Sequence, residues 1–225
     1  MIMNGSARAL ALFDFDGTLI RGDSIVPYLK LALRLKAISA GEYCAVTAQT
    51  LRYLAGGLTD DQIKTRALRF RGALSPERRD ALDRAFAQEC LLPRVFPQGL
   101  ACLRRHQKEN AVVALVSAST ENYMRFVAQA LKADALLCTP VLEDGSVRGN
   151  CKGEEKVRRI QAWIKQAGLS VDFSASYAYG DSESDLPMLR LCGHPILVNP
   201  KRALRKAVPD MPRVIWKERE ETASS

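Results

Sequence analysis

Six short apolar runs constrain this chain's fold more than any other feature: Leu10 to Phe13, Val112 to Val116, Ala135 to Leu137, Tyr177 to Tyr179, Ile196 to Val198 and Val214 to Trp216. Each has the length of a strand, and helical patterns lie between most of them. Strand alternating with helix predicts a doubly wound, Rossmann-like α/β core: a parallel sheet with helices on both faces. In such sheets ligands bind beyond the carboxyl ends of the strands. The first run ends in "DFDG", so Asp14 and Asp16 stand at such an end.

Residues 22–96 break the alternation and read as helix after helix. "VPYLKLALRLKAI" comes first, and "EYCAVTAQTLRYLAGG" closes on Gly56 and Gly57. "TDDQIKTRALRF" opens on Thr59 with Gln62 as its capping-box partner. "SPERRDALDRAFAQEC" has Ser75 as cap and Pro76 at the first helical position. The expected organisation is therefore a core of residues 1–21 and 97–225, with an all-helical domain at 22–96 inserted after the first strand. After the second strand, "CTPVLEDGSVRGN" reads as a plain surface hairpin turning at Asp144 and Gly145. The polar end "WKEREETASS" is expected to fray.

Composition narrows the class. With 225 residues, 47% hydrophobic and 26% charged, the chain has ordinary globular usage. No run of about eighteen apolar residues occurs, which argues against stable membrane insertion. The first residues carry neither a basic leader nor a small-residue cleavage site, so a cytoplasmic location is expected. Cys44, Cys90, Cys102, Cys138, Cys151 and Cys192 form no CxxC pair and read as reduced thiols. The net charge of +8 comes from basic residues spread over several helical segments, without an aromatic-interleaved stripe. Solvated helix faces explain it better than a nucleic-acid partner. The sequence sets no oligomeric state.

Four places combine polar groups with strand ends. In "DFDGTL", strand alternation puts Asp14 and Asp16 on one side, and Gly17 lets the backbone turn after them. Converging carboxylates favour a divalent cation, and one of them can act as acid and base; a structural pair of acids is an equal alternative. "LVSAS" ends a strand in Ser117, with Ala118 behind it at the head of a helix, which suits an anion; an ordinary cap serine is the competing reading. Lys156 lies early in the amphipathic helix of Val157, Ile160, Trp163 and Ile164, against the macrodipole, with Lys152 as rival. "YAYGDSESDLPML" places Asp181 and Asp185 four residues apart at a strand-to-helix turn, where they share a cation or Asp185 caps the helix.

In this order, "DFDGTL", Ser117, a later lysine and "GDSESDLPML" resemble the signature motifs of the haloacid dehalogenase superfamily of phosphohydrolases. The resemblance spans Leu10 to Asn199, and the helical insertion with "RGDS" is similar to the cap of its phosphoserine-phosphatase-like branch. It implies that Asp14 is the nucleophile that forms an aspartyl-phosphate and that Asp16 is the acid and base. It implies Mg²⁺ held by the Asp14 carboxylate, the Asp16 carbonyl and Asp181, with Asp185 ligating through water or orienting Asp181. Ser117, the Ala118 amide and Lys156 would bind the phosphoryl oxygens, and the partner would be a small phosphorylated metabolite. Asp23 stands where phosphoserine phosphatases usually carry Glu facing the substrate's amino group, which shortens the reach. Arg66, Arg69 and Arg71 are equal candidates for the family's cap arginine, and the apolar cap helices also admit a lipid phosphate. Transfer to an acceptor other than water and a receiver-like signalling module are the alternative activities.

Overall fold

β1 (Leu10–Phe13) lies at the centre of the computed structural model, which describes residues 7–218. Around it are β2 (Val112–Thr120), β3 (Ala135–Thr139), β4 (Tyr177–Gly180), β5 (His194–Val198) and β6 (Arg213–Val214). They form one sheet in the order β3-β2-β1-β4-β5-β6, every pair parallel. Successive strands step outward from β1 in one direction and then in the other. The crevice at this reversal lies beyond β1 and β4, which are followed directly by Asp14 and Asp181.

All four residues of β1 are buried, which is why it reads as a continuous apolar run rather than an alternating one. Its side chains divide between two cores. Leu10 and Leu12 join Val112, Ala114 and Ala178 on one face, and Ala11 and Phe13 join Val113, Leu115 and Tyr179 on the other.

Between β1 and β2 the chain forms α1 (Ile25–Arg34), α2 (Ala40–Leu54), α3 (Asp60–Leu68), α4 (Pro76–Ala85) and then α5 (Pro97–Lys108). The Thr59–Gln62 capping box and the Ser75 cap with Pro76 behind it are both formed. α4 continues into one wide π turn, Phe86–Leu91, rather than ending as a plain α-helix. Ile20 pairs antiparallel with Val95, and Phe96 donates its amide to the Leu19 carbonyl, so the chain leaves and re-enters the sheet layer through adjacent segments. α6 (Glu121–Leu131) follows β2, and α7 (Glu154–Gln166), α8 (Leu186–Leu191) and α9 (Arg202–Ala207) cover the Leu10 face through Ile160, Met188 and Leu204.

Three details depart from expectation. β2 runs on to Thr120, which holds the N-cap position of α6, so Ser117 sits on a strand irregularity three residues ahead of that position. There the Ser117 hydroxyl accepts the Ser119 amide at 3.0 Å, which bends the strand. The expected hairpin has a single antiparallel bridge, Val141 to Val147, and is not a plain surface feature. Its turn presses on the end of α3: a Cβ on Gly145, at φ +82°, would lie 2.2 Å from the Leu68 carbonyl oxygen. The last strand stops at Val214, and the Asn199 side chain takes over pairing by bonding both the amide and the carbonyl of Trp216. Of the tail expected to fray, everything after Glu218 lies outside the described residues.

Candidate active site

The chain turns sharply after β1. The Phe15 carbonyl accepts the amides of Thr18, Leu19 and Ile20, and Gly17 adopts φ +83°. A Cβ at Gly17 would sit 2.4 Å from Asp181 Oδ2, so only glycine lets this turn lie against the end of β4. The turn leaves Asp14 buried, its Oδ2 accepting the Thr18 hydroxyl at 3.1 Å.

Asp14 Oδ1 accepts a hydrogen bond from Lys156 Nζ at 2.7 Å, and the same ammonium donates to Asp185 Oδ1 at 2.6 Å. Lys156 is 1% exposed and projects from the first turn of α7. The rival Lys152 instead pairs with Asp60 at 3.0 Å. Asp185 Oδ2 collects the amides of Asp181 and Ser182 and the Ser182 hydroxyl, so its side chain orders the turn after β4 as well as meeting Lys156. Asp181 Oδ2 meets Lys201 at 2.8 Å.

Burial pushes Asp14 up to about 8; Lys156 opposes the shift, and Asp185 and Asp181 add to it. Burial also raises Asp181 despite Lys201. Asp185 falls below the usual carboxylate range because Lys156 and Ser182 outweigh its burial. Burial would discharge Lys156, but Asp14 and Asp185 hold it protonated.

Asp16 has different company. Its Oδ2 accepts the hydroxyls of Ser24 at 2.8 Å and Ser119 at 2.5 Å, while its Oδ1 is buried without a partner. Burial and the neighbouring Asp23 charge lift it to about 6, against the two serine hydrogen bonds. The Ser24 hydroxyl lies in hydrogen-bond reach of both the Ser119 and the Tyr123 hydroxyls, at 2.9 and 2.8 Å.

Asp14, Asp16, Asp23, Ser117, Ala118, Lys156, Asp181 and Asp185 all line one cavity of about 380 Å³ between the strand ends and α1 to α3. Asp23 sits exposed at its edge, and its Oδ1 accepts the Ile25 amide at 2.7 Å, which caps α1. None of the candidate cap arginines lines the cavity. Arg71 is buried in a two-bond pair with Asp83, and Arg66 bonds Gln49 on the surface. The cap contributes Lys64, whose ammonium donates to the Ala118 carbonyl at 2.6 Å and to Asn150 Oδ1 at 2.5 Å.

Ser24, Ser119, Lys201 and Lys64 were not foreseen. Lys201 follows β5 at the end that ligands approach, and Ser119 repeats the Ser117 spacing, so both had a positional signal. Lys64 lies inside an ordinary helix pattern and had none.

The residues fit a hard divalent cation such as Mg²⁺. Carboxylate oxygens of Asp14, Asp181 and Asp185 lie within 4.8 Å of one another. With Asp16 they bring four carboxyl groups against the two ammonium groups of Lys156 and Lys201. Burial, with Asp185 adding to it, raises the pKa of both Asp14 and Asp181, and a bound cation would favour their charged forms.

A parallel sheet whose switch point carries an acidic pair, a buried lysine and a second acidic turn defines a phosphohydrolase class. The haloacid dehalogenase-like hydrolase family profile matches residues 11–190, and the chain belongs to that family. It is a phosphatase. A "probable phosphatase" of Mycobacterium tuberculosis is 30% identical over 212 residues, covering 89% of this chain and 72% of that protein. A "histidinol-phosphatase" of Neisseria meningitidis is 28% identical, covering 88% of this chain and 94% of its own length. Among solved structures, a Bordetella pertussis protein of unknown function superposes with a TM-score of 0.84 at 27% identity, over 93% of this chain and 99% of that one. A substrate-bound phosphoserine phosphatase shares the fold, with a TM-score of 0.65 at 20% identity over 95% of each chain.

Proposed function

We propose that this phosphatase is a Mg²⁺-dependent phosphomonoesterase that hydrolyses a small phosphorylated metabolite through an aspartyl-phosphate. The arrangement that supports this best is Asp14 on the cavity floor, gripped by Lys156 at 2.7 Å, with the unpartnered Oδ1 of Asp16 in the same cavity.

In this reading Asp14 attacks phosphorus as the bond to the leaving oxygen breaks, and Asp16 gives that oxygen its proton. Water then attacks the acyl phosphate, Asp16 takes its proton, and Asp14 is regenerated. A pKa of about 6 suits a carboxyl that must both give and take a proton near neutrality. Ser117, the Ala118 amide and Lys156 bind the phosphoryl oxygens and offset their charge. Asp14, the Asp16 carbonyl and Asp181 would hold Mg²⁺, with Asp185 orienting Asp181; the ion would supply charge neutralisation at phosphorus.

The reading divides the chain into a core of 1–21 and 97–225 and a cap of 22–96, supported by the adjacent Ile20 and Val95 segments. The scattered, unpaired cysteines support a cytoplasmic location. No helix among the described residues is long and apolar enough to cross a membrane. The Neisseria relative's name supports a phosphorylated amino alcohol as a substrate, and Asp23, which pairs with no cation among the described residues, suits its ammonium group.

Phosphate release from a panel of phosphorylated metabolites with Mg²⁺ tests the activity. Asp14→Asn is expected to abolish turnover and leave the far-UV circular dichroism unchanged; retained turnover would overturn the nucleophile assignment. Free phosphate rather than a phosphorylated acceptor separates hydrolysis from transfer.

A further inference from the structure

We propose that the leaving-group half of the cavity selects a phosphomonoester whose alcohol carries an apolar or aromatic body and no carboxylate. This rests on the phosphomonoesterase reading above and concerns the part of the substrate that departs.

Opposite the aspartates, the cavity wall is built by Ile25 and Leu29 of α1, Val46 and Leu54 of α2, and Ile63 and Ala67 of α3. α2 buries none of its residues, and Leu54 is 74% exposed at the rim. An apolar wall of this kind gains stabilisation when an apolar occupant removes it from water.

Charge works in the same direction. The cationic side chains that line the cavity are lysines, and each is engaged. Lys156 meets Asp14 and Asp185, Lys201 meets Asp181, and Lys152 meets Asp60. Lys64 is held by the Ala118 carbonyl and Asn150. On the cap side the remaining groups are acids: Asp60, whose oxygens already accept from Tyr53, Asn150 and Lys152, and Asp23, which has no cation. A substrate carboxylate here would lose its water beside Asp23, and among the described residues the one lining lysine without an acidic partner, Lys64, already spends two donors on the Ala118 carbonyl and Asn150. A neutral or cationic body meets no such obstacle.

Three esters that differ in one group each provide the test, with Mg²⁺ present and p-nitrophenyl phosphate as reference. They are O-phosphoserine, O-phosphoethanolamine, which lacks only the carboxylate, and the phosphate ester of phenylalaninol, which carries benzyl in its place. The expected kcat/KM rises about tenfold on removing the carboxylate and about tenfold again on adding benzyl. Thr50→Arg adds an uncommitted guanidinium to the α2 wall, where the Thr50 hydroxyl bonds only its own helix, to the Val46 carbonyl. That variant is expected to raise phosphoserine about tenfold relative to phosphoethanolamine.

Phosphoserine turned over as well as phosphoethanolamine would overturn the proposal. So would equal rates with and without benzyl, or an unchanged ratio in Thr50→Arg. No phosphate from p-nitrophenyl phosphate would overturn the phosphomonoesterase reading itself, and this proposal with it.

Discussion

Asp14 and Asp16 are separated by one residue and meet different surroundings. Asp14 sits among two acids and a lysine, Asp16 among hydroxyls. The charge excess around Asp14 predicts that Mg²⁺ raises the unfolding temperature, by the equivalent of about 2.7 kcal/mol at a hundredfold excess over Kd. Asp181→Asn should shrink that rise, as scanning calorimetry with and without metal would show. Gly17→Ala would strain a turn at φ +83° and push on Asp181, and is expected to cost about 1–3 kcal/mol and blunt the same Mg²⁺ shift.

Away from the site, His106 is 1% exposed with its Nε2 on the Tyr179 hydroxyl, and burial and then Arg105 lower its pKa despite Glu109. Its folded pKa lies below the unfolded value near 6.5, so the unfolded chain binds the extra proton. Its contribution is complete above that value and is lost as the pH falls toward the folded pKa. Between pH 7 and 5 the melting temperature should therefore fall more steeply in the parent than in His106→Gln.

Among the elements, α3 joins the insertion to the part of the core that lines the cavity. Lys64 holds the Ala118 carbonyl, Thr65 accepts the Val147 amide, and Asp61 accepts the amides of Gly149 and Asn150. The Ala118 carbonyl belongs to the peptide that leads into Ser119, and Ser119 holds Asp16. Lys64→Met is expected to lower kcat/KM about ten- to a hundredfold with little change in circular dichroism, because a small displacement of catalytic groups is costly. Steady-state kinetics on p-nitrophenyl phosphate reads this directly. The expected surface hairpin thus turns out to be the ledge on which α3 rests.

Over the whole molecule, one buried ionic network ties the inserted helices to the core. Asp83 of α4 accepts two bonds from Arg71 and further bonds from Tyr28 of α1 and Asn122 of α6. Arg71→Met leaves a buried carboxylate without its counter-ion and is expected to cost about 3–5 kcal/mol in urea unfolding. The double change Arg71→Met with Asp83→Leu should cost less, since no charge is then stranded.

The alternation of strand and helix, the helical insertion, its caps at Thr59 and Ser75, and the family motifs around Asp14 and Asp181 are legible in the residues alone. Those are local signals: periodicity, capping chemistry and strand-end polarity are written in neighbouring residues. That Lys156 rather than Lys152 reaches Asp14, that Arg71 is buried against Asp83, and that Lys64 faces the cavity follow from packing and not from local pattern. Each of those outcomes depends on which distant partner a long cationic side chain meets. The pairings span separations of 142 residues for Lys156 with Asp14 and 54 for Lys64 with Ala118, distances over which no sequence pattern carries register.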